Sequence, residues 1–327
     1  MTLGPDGWLY VAVEGGHIVR LRPPAGTGDA GAATASDWQL EQFASTGGRP
    51  LGLAFAPAGA TLPAGWTESD LVVADAYIGL LRIDRLGEVE LLTDEAAGRA
   101  IRYADGVDID SQGIIYFTDA STRFGAKDYG GTFAASVLDI LEHSGSGRLL
   151  RYDPHQGTTE ELRTGLNFPN GVALSRDEQA LFVAETGSYR ILRYPIAREP
   201  ASAGDGSDEL EVVIDNLPGY PDNIRRGADG RYWCGLTRPR SALLDGMSQS
   251  PFQRKLVVRL PSWLRPIPPS YGHVFAFDER GTIVRDLQDP SGTYPSTTGA
   301  AEIDGRLYVQ SLHAHGMLGY LDEIPAP

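Results

Sequence analysis

The sequence predicts an all-β fold: a six-bladed β-propeller forming one domain over residues 1–327, with two helical insertions over its active-site face. Three observations predict it. A strand rich in β-branched and aromatic residues recurs six times, each copy is followed by a partner strand, and two connections are far longer than the rest.

The recurring strands are Trp8–Val13, Asp70–Asp75, Ile114–Asp119, Ala180–Glu185, Arg231–Leu236 and Arg306–Ser311. Their partners are Ile18–Leu21, Leu80–Ile83, Leu149–Tyr152, Ile191–Tyr194, Val274–Phe277 and Met317–Tyr320. Asp6-Gly7, Asp229-Gly230, Arg280-Gly281 and Asp304-Gly305 stand where tight hairpins need turn residues. Most pairs have another short strand upstream, such as Arg49–Phe55, Ala104–Ile109, Pro169–Leu174 or Pro221–Arg225, and some have a fourth downstream, such as Glu88–Leu92 and Glu211–Ile214. Four strands in each of six repeats is a propeller. A β-sandwich also has many short strands, but it does not repeat one motif order six times.

The long connections cover residues 120–147 and 237–272, and each contains a predicted helix. Phe133, Val137, Leu138 and Leu141 fall on one face of the first; Phe252, Leu256, Leu260 and Trp263 fall on one face of the second. In a propeller such connections open on the face where the innermost strands begin. Both are therefore expected as lids over an axial site, the alternative being a surface patch or a dimer or membrane-surface contact. The inner strand of blade one is expected as a stub and blade six is expected to have three strands, with the natural chain starting upstream to supply a closing strand.

Composition narrows the function. Against 28 Lys and Arg stand 43 Asp and Glu, a net charge of −15, which argues against a nucleic-acid partner and otherwise serves solubility. Cys234 is the only cysteine, so an internal disulfide and a Cys-based zinc site are excluded and a cytoplasmic or other disulfide-free location is expected. No apolar run approaches the roughly 18 residues of a membrane-spanning helix, and no signal-peptide pattern follows Met1.

The first residues of the innermost strands crowd at one mouth of a propeller. Asn170, Asp222, Asn223 and Asp105 therefore converge from separate blades. Carboxylates with amide oxygens make the ligand set of a hard cation such as Ca²⁺; an Asp-Asn pair in a turn also serves simply to satisfy local backbone. The connections on the same face add Arg123, Tyr189, Arg238, His313 and His315 as substrate-pocket candidates. No nucleophile elbow, phosphate loop or His-Glu-x-x-His motif is present.

The segments Asn167–Leu174, Gly219–Ile224, Leu243–Met247 and Tyr271–Val274, with weaker support from Asp304–Tyr308, resemble the strictosidine synthase-like family. That family lies within the superfamily of gluconolactonase/regucalcin and paraoxonase-type propellers. The resemblance implies Ca²⁺ held by Asn170 and Asp222, with Asn223 a further ligand, and a metal-assisted hydrolase of a lactone or ester with a hydrophobic portion, in which Asp222 doubles as the catalytic base. The sequence departs from the relatives in three places. The expected ligand Asn at position 104 is Ala104, the paraoxonase-type catalytic His falls at Leu51, and no glutamate motif precedes the first blade. A propeller that binds a small molecule or protein without turnover is the alternative. Amine–aldehyde condensation is disfavoured, because Ser296–Ala301 contains no carboxylate before Glu302.

Overall fold

Six antiparallel sheets follow one another along the chain in the computed structural model, which describes residues 1–22, 38–196, 210–247, 250–259, 270–314, 318–321 and 324. Blade one holds β1 (Thr2–Leu3), β2 (Leu9–Val13), β3 (His17–Arg22) and β4 (Gln39–Ser45). Blade two holds β5 (Pro50–Phe55), β6 (Leu71–Asp75), β7 (Gly79–Ile83) and β8 (Val89–Thr93). A small hairpin of β9 (Glu95–Ala96) and β10 (Arg99–Ala100) leads to blade three, with β11 (Ala104–Ile109), β12 (Ile115–Asp119), β13 (Gly147–Asp153) and β14 (Thr158–Leu166). Blade four holds β15 (Pro169–Leu174), β16 (Ala180–Glu185), β17 (Arg190–Pro195) and β18 (Glu211–Ile214). Blade five holds β19 (Gly219–Arg226), β20 (Tyr232–Pro239), β21 (Gly272–Phe277) and β22 (Ile283–Asp289). Blade six holds β23 (Thr297–Ile303), β24 (Arg306–Ser311) and β25 (Gly319–Leu321). Every blade pairs its strands in chain order; among the described residues blade six has three strands, and β1 is two residues long.

Turn chemistry and packing explain the repeat. At the β23–β24 hairpin Asp304 and Gly305 take φ values of 50° and 78°, the left-handed pair that a two-residue turn needs. Successive side chains on a strand point to opposite faces, so each blade feeds the two interfaces beside it. Phe117 packs with Ala54 and Val72 of blade two, whereas its neighbour Tyr116 packs with Leu174 and Val183 of blade four. Phe182 meets Tyr232 and Phe277 across the next interface. Met1 and Leu9 pack on Ala301 and Tyr308, which brings blade six against blade one. Because both faces of these strands are buried, their sequences read as continuous apolar runs.

The long connections contain α1 (Thr132–Glu142), between β12 and β13, and α2 (Ala242–Gly246) and α3 (Pro251–Arg259), between β20 and β21. The apolar stripe expected on α1 is only partly its buried face: Leu141 is buried, but Val137 and Leu138 are half-buried. Ala135, Asp139 and Leu141 are buried, whereas Phe133 is 56% exposed. The reason is polar: the hydroxyls of Ser121 and Ser146 both donate to Asp139 Oδ2 at 2.6 Å, so a hydrogen-bonded Asp and a small Ala seat the helix on blade three. On α3, Phe252 and Leu256 are exposed, and Leu260 and Trp263 lie outside the described residues.

Candidate functional site at the axial mouth

Five inner strands break register near their first residues, between Pro50 and Gly52, Ala104 and Val107, Pro169 and Val172, Pro221 and Ile224, and Thr297 and Gly299. A bulge takes a residue out of the ladder and re-aims it. The residues so placed are Leu51, Asp105, Asn170, Asp222 and Thr298. The register therefore puts Asp105, not Ala104, in line with Asn170, and blade three contributes a carboxylate to the ring where the resemblance expects an amide one position earlier.

The ring is tight because the residue after the bulge is usually glycine. A Cβ on Gly52 would stand 2.3 Å from the Asp105 carbonyl oxygen, one on Gly106 2.4 Å from that of Asn170, and one on Gly171 2.2 Å from the Ile224 nitrogen. Neighbouring inner strands thus meet backbone to backbone. Thr118 adds a bridge, accepting from the Gly106 N–H at 2.9 Å and donating to the Asn170 carbonyl at 2.5 Å. Blade five departs from the pattern, since Asn223 stands where the others have glycine and its Nδ2 donates to Asp222 Oδ1 at 2.7 Å.

Burial sets the electrostatics. Asp105 and Asn170 are each 5% exposed, and Asn170 Oδ1 has no hydrogen-bond partner among the described residues. Desolvation pushes the Asp105 carboxyl up to about 7, against a smaller opposing pull from Arg49. Asp222 is also raised well above the ordinary carboxylate range, by desolvation first and then by the charge of Asp105, while its hydrogen bond to the Asn223 backbone pulls the other way. Two desolvated carboxylates beside an amide oxygen that lacks a donor fit a hard divalent cation, which takes oxygen ligands. Among the described residues no cluster of three or more His, Cys, Asp or Glu forms, so the amide oxygen would be an essential member of any such ligand set.

A second tier is made by the residues two positions before four of the ring residues, Arg49, Tyr103, Phe168 and Tyr220, of which the three aromatic ones are buried. Tyr103 meets Phe168 edge to face at 5.2 Å, and Tyr220 meets Tyr189 at 4.7 Å. Carboxylates at the ends of the second strands hold this tier in place. Asp75 accepts from the Arg49 N–H at 2.8 Å, Asp119 from that of Tyr103 at 2.8 Å, and Glu185 from that of Asn167 at 2.8 Å. Helix α1 reaches from blade three to side chains of blades five and six. The Tyr103 hydroxyl donates to the Thr132 carbonyl at 2.9 Å, and the Phe133 ring lies 5.7 Å from the Arg238 guanidinium of blade five and 6.3 Å from the His313 ring of blade six.

The residues singled out in the sequence divide accordingly. Asp105, Asn170, Asp222 and Asn223 come together at the ring. Tyr189 meets Tyr220 of the second tier, and Arg238 and His313 meet Phe133. Arg123 is directed elsewhere: it is ion-paired to Glu142 at 2.9 Å at the end of α1, with its side chain mostly exposed. His315 lies outside the described residues. Glu302 is fully engaged, accepting from the Ala228 N–H, Trp233 Nε1 and Arg231 Nη2 at 2.9–3.1 Å. The sequence reading missed Tyr103, Phe168 and Tyr220, although their signal is simple: each stands two residues before a ring position.

The family model for strictosidine synthase matches residues 105–199, and that for the N-terminal part of strictosidine synthase-like proteins matches residues 1–21. Adipocyte plasma membrane-associated protein of Danio rerio is 33% identical over 325 residues, covering 94% of this chain and 69% of its own. Protein strictosidine synthase-like 6 of Arabidopsis thaliana is 33% identical over 313 residues, covering 95% and 75%. Among solved structures, a gluconolactonase of Xanthomonas campestris superposes with a TM-score of 0.58 at 18% identity, over 93% of this chain and 79% of that one. The calcium-binding protein regucalcin of Agrobacterium tumefaciens superposes with a TM-score of 0.55 at 17% identity, over 95% and 79%. At these identities the solved structures share the propeller fold.

Proposed function

This chain belongs to the strictosidine synthase-like family, and from that premise we propose that its axial site is a cation-assisted hydrolase of a lactone or ester with a hydrophobic portion. One observation carries the reading: Asn170 Oδ1, buried and without a donor, shares the ring with the desolvated carboxylates of Asp105 and Asp222. Asn170 and Asp222 would hold the ion, with Asp105 beside them and Asn223 as a further ligand or as the group that orients Asp222. Ca²⁺ is the proposed ion, and when bound it would supply Lewis-acid polarisation of a carbonyl oxygen.

The chain's own residues would do the rest. Asp222, oriented at Oδ1 by Asn223, would take the proton of an attacking water in its ionised form, which a neighbouring cation would favour against the desolvation that raises its carboxyl. The pairs Tyr103–Phe168 and Tyr189–Tyr220 would offer aromatic surface to an apolar substrate, and α1 would limit access of bulk water.

The test is hydrolysis of a panel of lactones and aryl esters with Ca²⁺ added and with chelator. Activity lost in chelator and restored by Ca²⁺ is expected. Hydrolysis indifferent to chelation would remove the cation from the reading, and binding without any turnover would favour a non-catalytic propeller.

A further inference from the structure

Arg238 lies near the end of β20 and Arg240 just beyond it, and their surroundings differ. Arg240 is partnered: Nε reaches Asp245 at 3.0 Å, Nη1 donates to Asn216 Oδ1, and the guanidinium lies 4.3 Å from the Tyr189 ring. Arg238, nearer the start of the lid connection, has no hydrogen-bond acceptor and no carboxylate partner among the described residues; its one contact of this kind is the Phe133 ring at 5.7 Å. It is partly buried, and burial works against its charge. Carboxylates are abundant in this chain, with 43 Asp and Glu against 28 Lys and Arg, and arginines such as Arg82, Arg148 and Arg231 are ion-paired. A half-buried guanidinium with no carboxylate beside it among the described residues is open to an anionic ligand.

The position of Arg238 says where that partner would come from. Phe133 is carried across the axial mouth by α1, which is anchored on blade three, and its ring reaches both Arg238 and His313 on blades five and six. The open side of Arg238 therefore belongs to the same mouth as Asp105, Asn170 and Asp222. We propose that the axial site selects substrates that carry a carboxylate next to a flat apolar group, with Arg238 binding the carboxylate through its planar fork of N–H donors and the Phe133 ring packing against the apolar part. This rests on the reading of the mouth as a substrate site and adds the substrate's charge.

The experiment measures binding, so it stands apart from turnover. Phenylacetate and its neutral isostere phenylacetamide are titrated calorimetrically into the full chain, as the unchanged protein, Arg238→Met and Arg238→Lys, each with and without chelator. The unchanged protein should bind phenylacetate at least about tenfold more tightly than the amide, the gain of one charge-assisted contact. Arg238→Met should erase the preference while leaving amide binding within about twofold, and Arg238→Lys should retain part of it. Because the Arg238 side chain makes no hydrogen bond among the described residues, Arg238→Met should keep the parent melting temperature; should it not, Arg238→Gln carries the same test. Equal affinities in the unchanged protein, no binding of either compound up to roughly 10 mM, or a preference that survives Arg238→Met would overturn the proposal. So would a preference that chelator abolishes, since the carboxylate would then be on the cation. If no ester or lactone is hydrolysed yet the preference behaves as expected, the hydrolase reading fails and this inference stands.

Discussion

The Tyr103 hydroxyl donates to the Thr132 carbonyl at 2.9 Å, and this bond ties the first turn of α1 to the residue that precedes the inner strand of blade three, two residues before Asp105. Tyr103→Phe keeps the aromatic contact with Phe168 and removes only the latch. The expected loss is about 1 kcal/mol of stability, with faster hydrogen exchange in α1. Unchanged exchange there would show that the lid is held by other contacts, such as Asp139 with Ser121 and Ser146.

Asp105 gives a signed pH dependence. Its folded-state carboxyl titrates at about 7, above the ordinary value near about 4. Between those limits the folded chain keeps a proton that the unfolded chain has released, so in chelator stability falls as pH rises through this window. Asp222, raised in the same sense, adds to the slope. Melting temperature measured from pH 4 to 8 should decline less steeply in Asp105→Asn, and added Ca²⁺ should offset the loss at pH 8. A variant with the parent slope would remove Asp105 from this account.

The glycine ring predicts intolerance to a single methyl group. In Gly106→Ala and Gly171→Ala the new Cβ would lie 2.4 Å and 2.2 Å from backbone atoms of the next blade. Backbone there has nowhere to retreat, so the cost should exceed about 3 kcal/mol. Gly246→Ala, at the end of α2 with nothing within 4 Å of the added carbon, is the control and should be near neutral. Chemical denaturation of the three variants decides it, and mild effects at Gly106 and Gly171 would mean that the inner strands are less closely set.

Arg148 is fully buried and fully used. Its Nε binds Asp119 at 2.9 Å, Nη1 binds Glu161 and the Ala96 carbonyl, and Nη2 binds the Arg99 and Ala100 carbonyls at 3.1 and 2.8 Å. Asp119 in turn accepts from the Tyr103 N–H, so the pair reaches the second tier of the site. Arg148→Met strands the buried Asp119 carboxylate and should cost about 3–5 kcal/mol. The double variant Arg148→Met, Asp119→Leu should recover part of this. Denaturant midpoints test both, and a double variant less stable than the single one would count against an uncompensated charge as the cause.

The blades were legible because a strand buried on both faces leaves an uninterrupted apolar record: Ile114–Asp119 and Ala180–Glu185 can be read without coordinates. The ring was legible in part, because Asn170-Gly171 and Asp222-Asn223 stand at the starts of inner strands. The lid's buried face was not, because a periodicity argument sorts residues by hydrophobicity, and Asp139 is buried through two serine hydroxyls instead.

By itself, then, the sequence determined the repeat, the number of blades and which segments begin at the mouth, since these depend on local periodicity and turn chemistry. Only the tertiary structure decided that Asp105 rather than Ala104 lines up with Asn170, that Tyr103, Phe168 and Tyr220 form the second tier, and that Phe133 crosses to Arg238 and His313. The physical reason is that a bulge shifts which residue faces the axis without altering the strand's pattern, and that a contact between opposite blades is fixed by ring closure, which no local stretch of chain encodes.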